Sequence, residues 1–96
     1  MLDSLKREDF DPYLGTELPL TVAGQPTQAL LAEVRTLSSP SPRAAAPFAL
    51  TFVVPRELPV GQGTHCLVHP TLGALELFMV PIGPEPRGMR YEAIFN

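Results

Sequence analysis

Tryptophan is absent, and cysteine occurs once, at Cys66. A single thiol cannot close an intrachain disulfide, and it suits a reducing compartment. Basic residues are few, seven against ten acidic, for a net charge of −3. They are scattered singly apart from Lys6-Arg7, so no stripe exists to neutralise a row of phosphates. That disfavours nucleic acid as a partner and removes the attraction of an anionic membrane surface. Long apolar runs are missing too. No segment approaches the roughly 18 consecutive apolar residues of a spanning helix. The opening MLDSLKREDF carries charge where a secretory leader needs an apolar stretch. Together these absences predict a protein that is cytoplasmic, or released from the cytoplasm without a signal, with no membrane association.

What is abundant is proline, 12 of 96 residues, where about 5% is usual. The prolines fall between apolar runs, at 40, 42 and 47, at 55 and 59, and at 81, 84 and 86. Proline fixes φ and removes a backbone donor, which bars it from helix interiors and central ladders. Short strands fit between these breaks; long helices do not. A hydrophobic content of 45% argues against disorder. The length sets one domain, 1–96, with a modest core. Its bulk must come from Phe10, Phe48, Phe52, Phe78, Phe95, Tyr13, Tyr91 and the leucines and valines.

The segment 1–11 reads as a short helix capped by Asp3 or Ser4, with Leu2, Leu5 and Phe10 on one face and Asp11-Pro12 as its stop. Too short to be helical alone, it must dock Leu5 and Phe10 onto something. Residues 17–22 form a strand that Pro19 demotes to an edge. After the turn 23–26, residues 27–37 are ambiguous. Leu30, Leu31, Val34 and Leu37 fit a helical period, whereas Leu30, Ala32 and Val34 alternate as in a strand. Their position after a tight turn favours a hairpin partner over a helix. SSPSPRAAA, 38–46, reads as an exposed loop. In 47–54, Phe48, Leu50, Phe52 and Val54 share one face of the clearest strand in the chain. Leu58 and Val60 are candidate anchors in the loop that follows.

Residues 64–96 read as a β-meander, cut by turns at 69–73 and 83–88. Hydrophobic matching sets Leu77 opposite Phe95, Met79 opposite Ala93 and Pro81 near Tyr91. One face then carries Leu75, Leu77, Met79, Tyr91, Ala93 and Phe95. The other is not polar: Phe78, Val80 and Ile94 stand beside Glu76, Arg90 and Glu92. That second apolar surface is either covered by another layer or is a protein contact patch. The last apolar strand runs to Asn96, so the end of the chain is expected to be part of the fold. In 64–69 two registers stay open: Cys66 with Val68, or His65 with Leu67, turned inward.

No chemical signature rises above these structural readings. His65 and His69 have the H-x-x-x-H spacing, but on a strand four residues span about 13 Å. A single ion with bonds of about 2 Å cannot reach both. They read as surface or half-buried histidines, His69 bonding across its own turn. Cys66 and His65 face opposite ways, so Cys66 reads as a small buried apolar residue and not as an activated nucleophile. Nothing forces any two of Glu33, Glu76 and Glu92 into an acid–base pair; Glu76 and Glu92 are expected near Arg90. Gly61-Gln62-Gly63-Thr64 precedes a strand and lacks a P-loop lysine, so it reads as a turn. Ser38, Ser39 and Ser41 lack a nucleophile-elbow context. Lys6, Arg7, Glu8, Asp9 and Asp11 read as the outer face of the first helix, with a docking site as the alternative. No catalytic, cofactor-binding or metal-ligating residue is assigned, and no cofactor is expected.

Three strings carry a resemblance: His69-Pro70-x-Leu72-Gly73, then Glu76 to Pro84, then Gly88-Met89-Arg90-Tyr91-Glu92-Ala93-x-Phe95-Asn96. With Leu5 to Phe10 and Tyr13-Leu14-Gly15 they make the chain similar to a family of small bacterial domains of uncharacterised function. The likeness is specific in 69–96, weak over 27–60, and departs in the loop 38–46. It implies an accessory role in assembling a phage-tail-like or fibre structure, and carries over no catalytic residue. The fold expected is mainly β: a short N-terminal helix, then about six antiparallel strands in a small barrel or sandwich. The function expected is a non-enzymatic structural or protein-interaction module, with a protein partner or self-association. The alternative is a small-ligand-binding β-barrel, with or without hydrolase or isomerase activity. Its site would lie between loops 55–63 and 83–88, near His65 and Arg90.

Overall fold

The apolar runs read from the sequence become strands, but proline does not always bound them: Pro19, Pro26, Pro81 and Pro84 lie inside paired strands. The computed structural model describes residues 5–22, 24–37, 46–57 and 61–95. Within them lie β1 (Glu17–Val22), β2 (Gln25–Thr36), β3 (Phe48–Val54), β4 (Gly63–His69), β5 (Gly73–Glu85) and β6 (Gly88–Phe95). The strands are antiparallel and close a barrel in the order β1-β2-β3-β6-β5-β4. Two three-stranded meanders thus join edge to edge. At one join β3 and β6 pair from Phe48↔Phe95 to Val54↔Met89. At the other, β1 meets β4 only at Leu20↔Leu67 and Thr21↔Cys66. Pro19 is therefore not on an open sheet edge, as its sequence suggested. It stands one residue outside this short seam, where its missing N–H is not needed.

Inside the barrel, alternation decides which side chains are buried. Leu18, Leu20 and Val22 of β1, Leu67 of β4, and Leu75, Leu77 and Met79 of β5 point inward. Tyr91, Ala93 and Phe95 of β6 meet the even-numbered residues of β3. The expected register of the last hairpin holds, with Val80↔Glu92 and Pro81↔Tyr91. β2 is a strand, but its inward residues are Ala29 and Leu31 and not Leu30 and Ala32. A bulge between Leu31 and Glu33 then lets Val34 pack on the core as well.

The N-terminal helical segment takes the form of two 3-10 turns, Arg7–Asp9 and Asp11–Tyr13. Pro12 does not end it; it sits at the start of the second turn, where a missing N–H is harmless. The expected cap at Asp3 or Ser4 lies outside the described residues, as do loop residues 38–45, the anchors Leu58 and Val60, and Asn96. Leu5 and Phe10 are buried as expected. Phe10 closes one end of the barrel, 6.0 Å from Phe48 and 6.3 Å from Phe95, which stack on each other at 4.5 Å. At the other end the Tyr91 hydroxyl accepts the Gly61 N–H at 3.3 Å.

The outer face of β3 is buried too, although it carries only Ala49, Thr51 and Val53. Longer side chains cover it from both sides. Arg35 of β2, opposite Ala49, is ion-paired with Glu92 of β6, opposite Thr51. Glu33 accepts the Thr51 hydroxyl at 3.4 Å.

Candidate functional site

β5 turns Leu75, Leu77 and Met79 inward, which leaves Glu76, Phe78, Val80 and Ile82 outside. β6 places Arg90, Glu92 and Ile94 on the same outer surface. Phe78 is 56% exposed, Ile94 52% and Ile82 38%, while Val80 is half-buried between them. Among the described residues no second layer covers this face. Ile82 belongs with the three residues singled out from the sequence. The turn expected at 83–88 begins later, because β5 continues through a bulge between Pro81 and Gly83 as far as Glu85.

The polar residues here are divided between two tasks. Glu92 is taken by Arg35 and does not meet Arg90, against the sequence expectation. Arg90 lies opposite Val53 and Gly83, and its buried Nε–H has no acceptor. On the adjoining hairpin Glu85 receives both the Nε–H and Nη2–H of Arg87 at 2.8 Å, and the Arg87 backbone N–H at the same distance. The side-chain and backbone hydrogen bonds from Arg87 hold its carboxyl down to about 2. A carboxyl lowered on folding stabilises the fold above its unfolded value of about 4.3. That contribution fades as pH falls toward the folded value. A carboxyl-detected NMR titration should find Glu85 protonating near 2. Arg87→Ala should raise it but not restore the free value, because the residue-87 backbone N–H and Arg90 remain; an unchanged midpoint in that variant would show that the Arg87 side chain is not the cause.

The other sequence candidates are scattered. β4 takes the register that turns His65, Leu67 and His69 inward. Both histidines are buried, at 9% and 2% exposure, and not at the surface. His65 packs edge-on against Tyr91 and donates from Nε2 to the Gly61 carbonyl at 3.4 Å. His69 does bond across its own turn. Its Nδ1 accepts the N–H groups of Thr71 and Leu72, each at 3.1 Å. That leaves the proton on Nε2, which donates to the Asp9 carbonyl at 2.6 Å. The His69 ring also lies edge-on to Phe10 and Tyr13. The HPxLG string is therefore a structural latch between a turn and the N-terminal cap.

Cys66 is not a buried apolar residue. It is half-exposed on the outer face, opposite Thr21 and Glu76, because the register that buries Leu67 must turn its neighbour out. Glu33 and Glu92 both lie level with Thr51 but have β3 between them. Gly61 and Gln62 lead irregularly into β4, which already contains Gly63 and Thr64, so 61–64 is a strand entry and not the turn expected. In the charged N-terminal run, Arg7 donates to Asp11, to the Thr36 hydroxyl at 2.7 Å and to the Val34 carbonyl. The Lys6 N–H donates to Asp9. That run fastens the cap to β2. His65 and Arg90 are not brought together: one points into the barrel and the other lies outside it. Pro55, Arg56 and Glu57 border an open surface depression with Pro86 and Arg87, which neither residue lines. No three metal-ligating side chains cluster among the described residues, and no helix of theirs is long and apolar enough to cross a membrane.

No curated protein and no solved structure matches the chain. A family of domains of unknown function does match, over residues 5–95. That span runs from the buried Leu5 of the cap to the last inward residue of β6 and takes in every strand of the barrel. The chain belongs to the DUF6916 family of domains of unknown function.

Proposed function

We propose that the domain is a non-enzymatic structural or protein-interaction module that docks a protein through the outer face of β5 and β6. The observation that carries this reading is the exposure of Phe78, Ile82 and Ile94 on one side of a barrel whose inward positions are filled by its own side chains. An exposed apolar cluster rimmed by polar residues marks an interaction surface more often than a solvated one. A ligand-binding barrel needs a concave interior with converging polar groups. Here that space is occupied by leucines, phenylalanines, Met79 and Tyr91, which supports docking over small-ligand binding. We place the protein in the bacterial cytoplasm. As the resemblance implies, we assign it an accessory role in assembling a phage-tail-like or fibre structure.

The test is Phe78→Asp. Pull-down from native lysate and light scattering should show a partner, or self-association, that the variant loses. A surface substitution should shift stability by no more than about 0.5 kcal/mol and leave circular dichroism unchanged. A wild-type protein that is strictly monomeric and captures nothing would end this reading, and so would unfolding of the variant, since Phe78 would then be core.

A further inference from the structure

Resting on that docking face, we infer that its occupant is a protein segment that gives a carboxylate to Arg90 and an apolar side chain to Phe78 and Ile94. Arg7, Arg35, Arg56 and Arg87 each donate hydrogen bonds within the domain. Among the described arginines Arg90 alone has none, and its Nε–H is buried without an acceptor. The Nε–H is closed to solvent, so an incoming acceptor meets the two Nη groups, which are not shut away and likewise have no partner among the described residues. The two nearby acids are already committed: Glu92 to Arg35, and Glu85 to Arg87, although Arg90 adds to the pull that lowers the Glu85 carboxyl. No neighbouring carboxylate among the described residues is left for Arg90, so one that pairs with it comes from a partner.

Guanidinium geometry favours a carboxylate or a phosphate, taken through two parallel N–H bonds. A polyanion is disfavoured. The chain carries a net charge of −3, and the exposed Glu76 stands beside Phe78 on the same face. A single carboxylate flanked by apolar residues meets neither objection. Arginine and aromatic side chains are also where protein interfaces concentrate their binding energy. Along β6, four residues separate Arg90 from Ile94, or about 13 Å of extended chain. The occupant should therefore hold its acid about four residues from its apolar anchor.

The probe is the peptide acetyl-Leu-Thr-Val-Thr-Glu-amide, with its glutamine counterpart, inorganic phosphate and an oligothymidylate as comparisons. The readout is the nitrogen-15 spectrum of the intact domain, including the arginine Nε–H signals. The glutamate peptide should move the Arg90 Nε–H together with the amides of Phe78, Val80 and Ile94. The glutamine peptide, or Arg90→Gln, should bind about tenfold more weakly, the size of one charge-assisted hydrogen bond. If both peptides move the patch equally, docking stands and the carboxylate inference falls. If neither moves it at millimolar concentration, both fall. A larger response to phosphate or oligothymidylate overturns the protein segment. Patch signals that move on simple dilution put a second copy there instead, and overturn it as well.

Discussion

Gly88→Ala should remove a large share of the stability of this domain. Gly88 opens β6 at φ +154, a region L side chains rarely enter, and a Cβ there would lie 2.1 Å from the Val54 carbonyl oxygen and 3.3 Å from the Val53 side chain. Strain of this kind is worth about 1–3 kcal/mol. Overpacking adds about 1–3 kcal/mol, and here the obstacle is β3 backbone, which cannot swing aside. A loss of roughly 4 kcal/mol compares with a total of about 5–14 kcal/mol for a chain this long. The melting temperature should fall by roughly 20 °C. Gly24→Ala is the control: φ is also positive, at +79, but nothing lies within 4 Å, so only the backbone strain of about 1 kcal/mol applies. Equal losses in the two variants would show that β6 does not start in contact with β3.

His69→Ala should cost roughly 3–5 kcal/mol. The imidazole satisfies two turn N–H groups and one cap carbonyl at once, and each buried group left unpaired costs about 1–3 kcal/mol, not additively. Edge-on contacts with Phe10 and Tyr13 are lost as well. His69→Asn separates the parts. An asparagine oxygen can still accept from the turn, but the side chain is too short to reach Asp9 as well. It should recover about half the loss, measured by chemical denaturation, while hydrogen exchange at Phe10 and Tyr13 stays fast. If His69→Asn matches the wild type in both measurements, His69 does not latch the cap.

The strands, their order along the chain and the last hairpin's register were legible because alternation and proline breaks are local signals. β2 was harder for a physical reason. Its bulge puts Leu31 and Val34, three residues apart, on the same side, so a bent strand imitates helical spacing. In β4 the pattern was symmetric: His65 and Cys66 compete for the interior, and only pairing with β1 and β5 selects the histidines. The exposed apolar face of β5 and β6 was legible as apolar residues on the wrong face of a strand. Arg90 was not. Its isolation depends on Arg35, far away in sequence, reaching over β3 to take Glu92.

The joins between the two meanders bear on the order of events during synthesis. β3 and β6 share the longest of these joins, yet Phe48 must find Phe95, and the β1–β4 join is similarly distant. Neither meander can bury its inner surface alone, and pairing between remote segments is slow. While a ribosome is still making β5, the first three strands have no lining to close against. Until β6 emerges they remain a greasy open ribbon, and the interval before closure is when this chain is most exposed to aggregation.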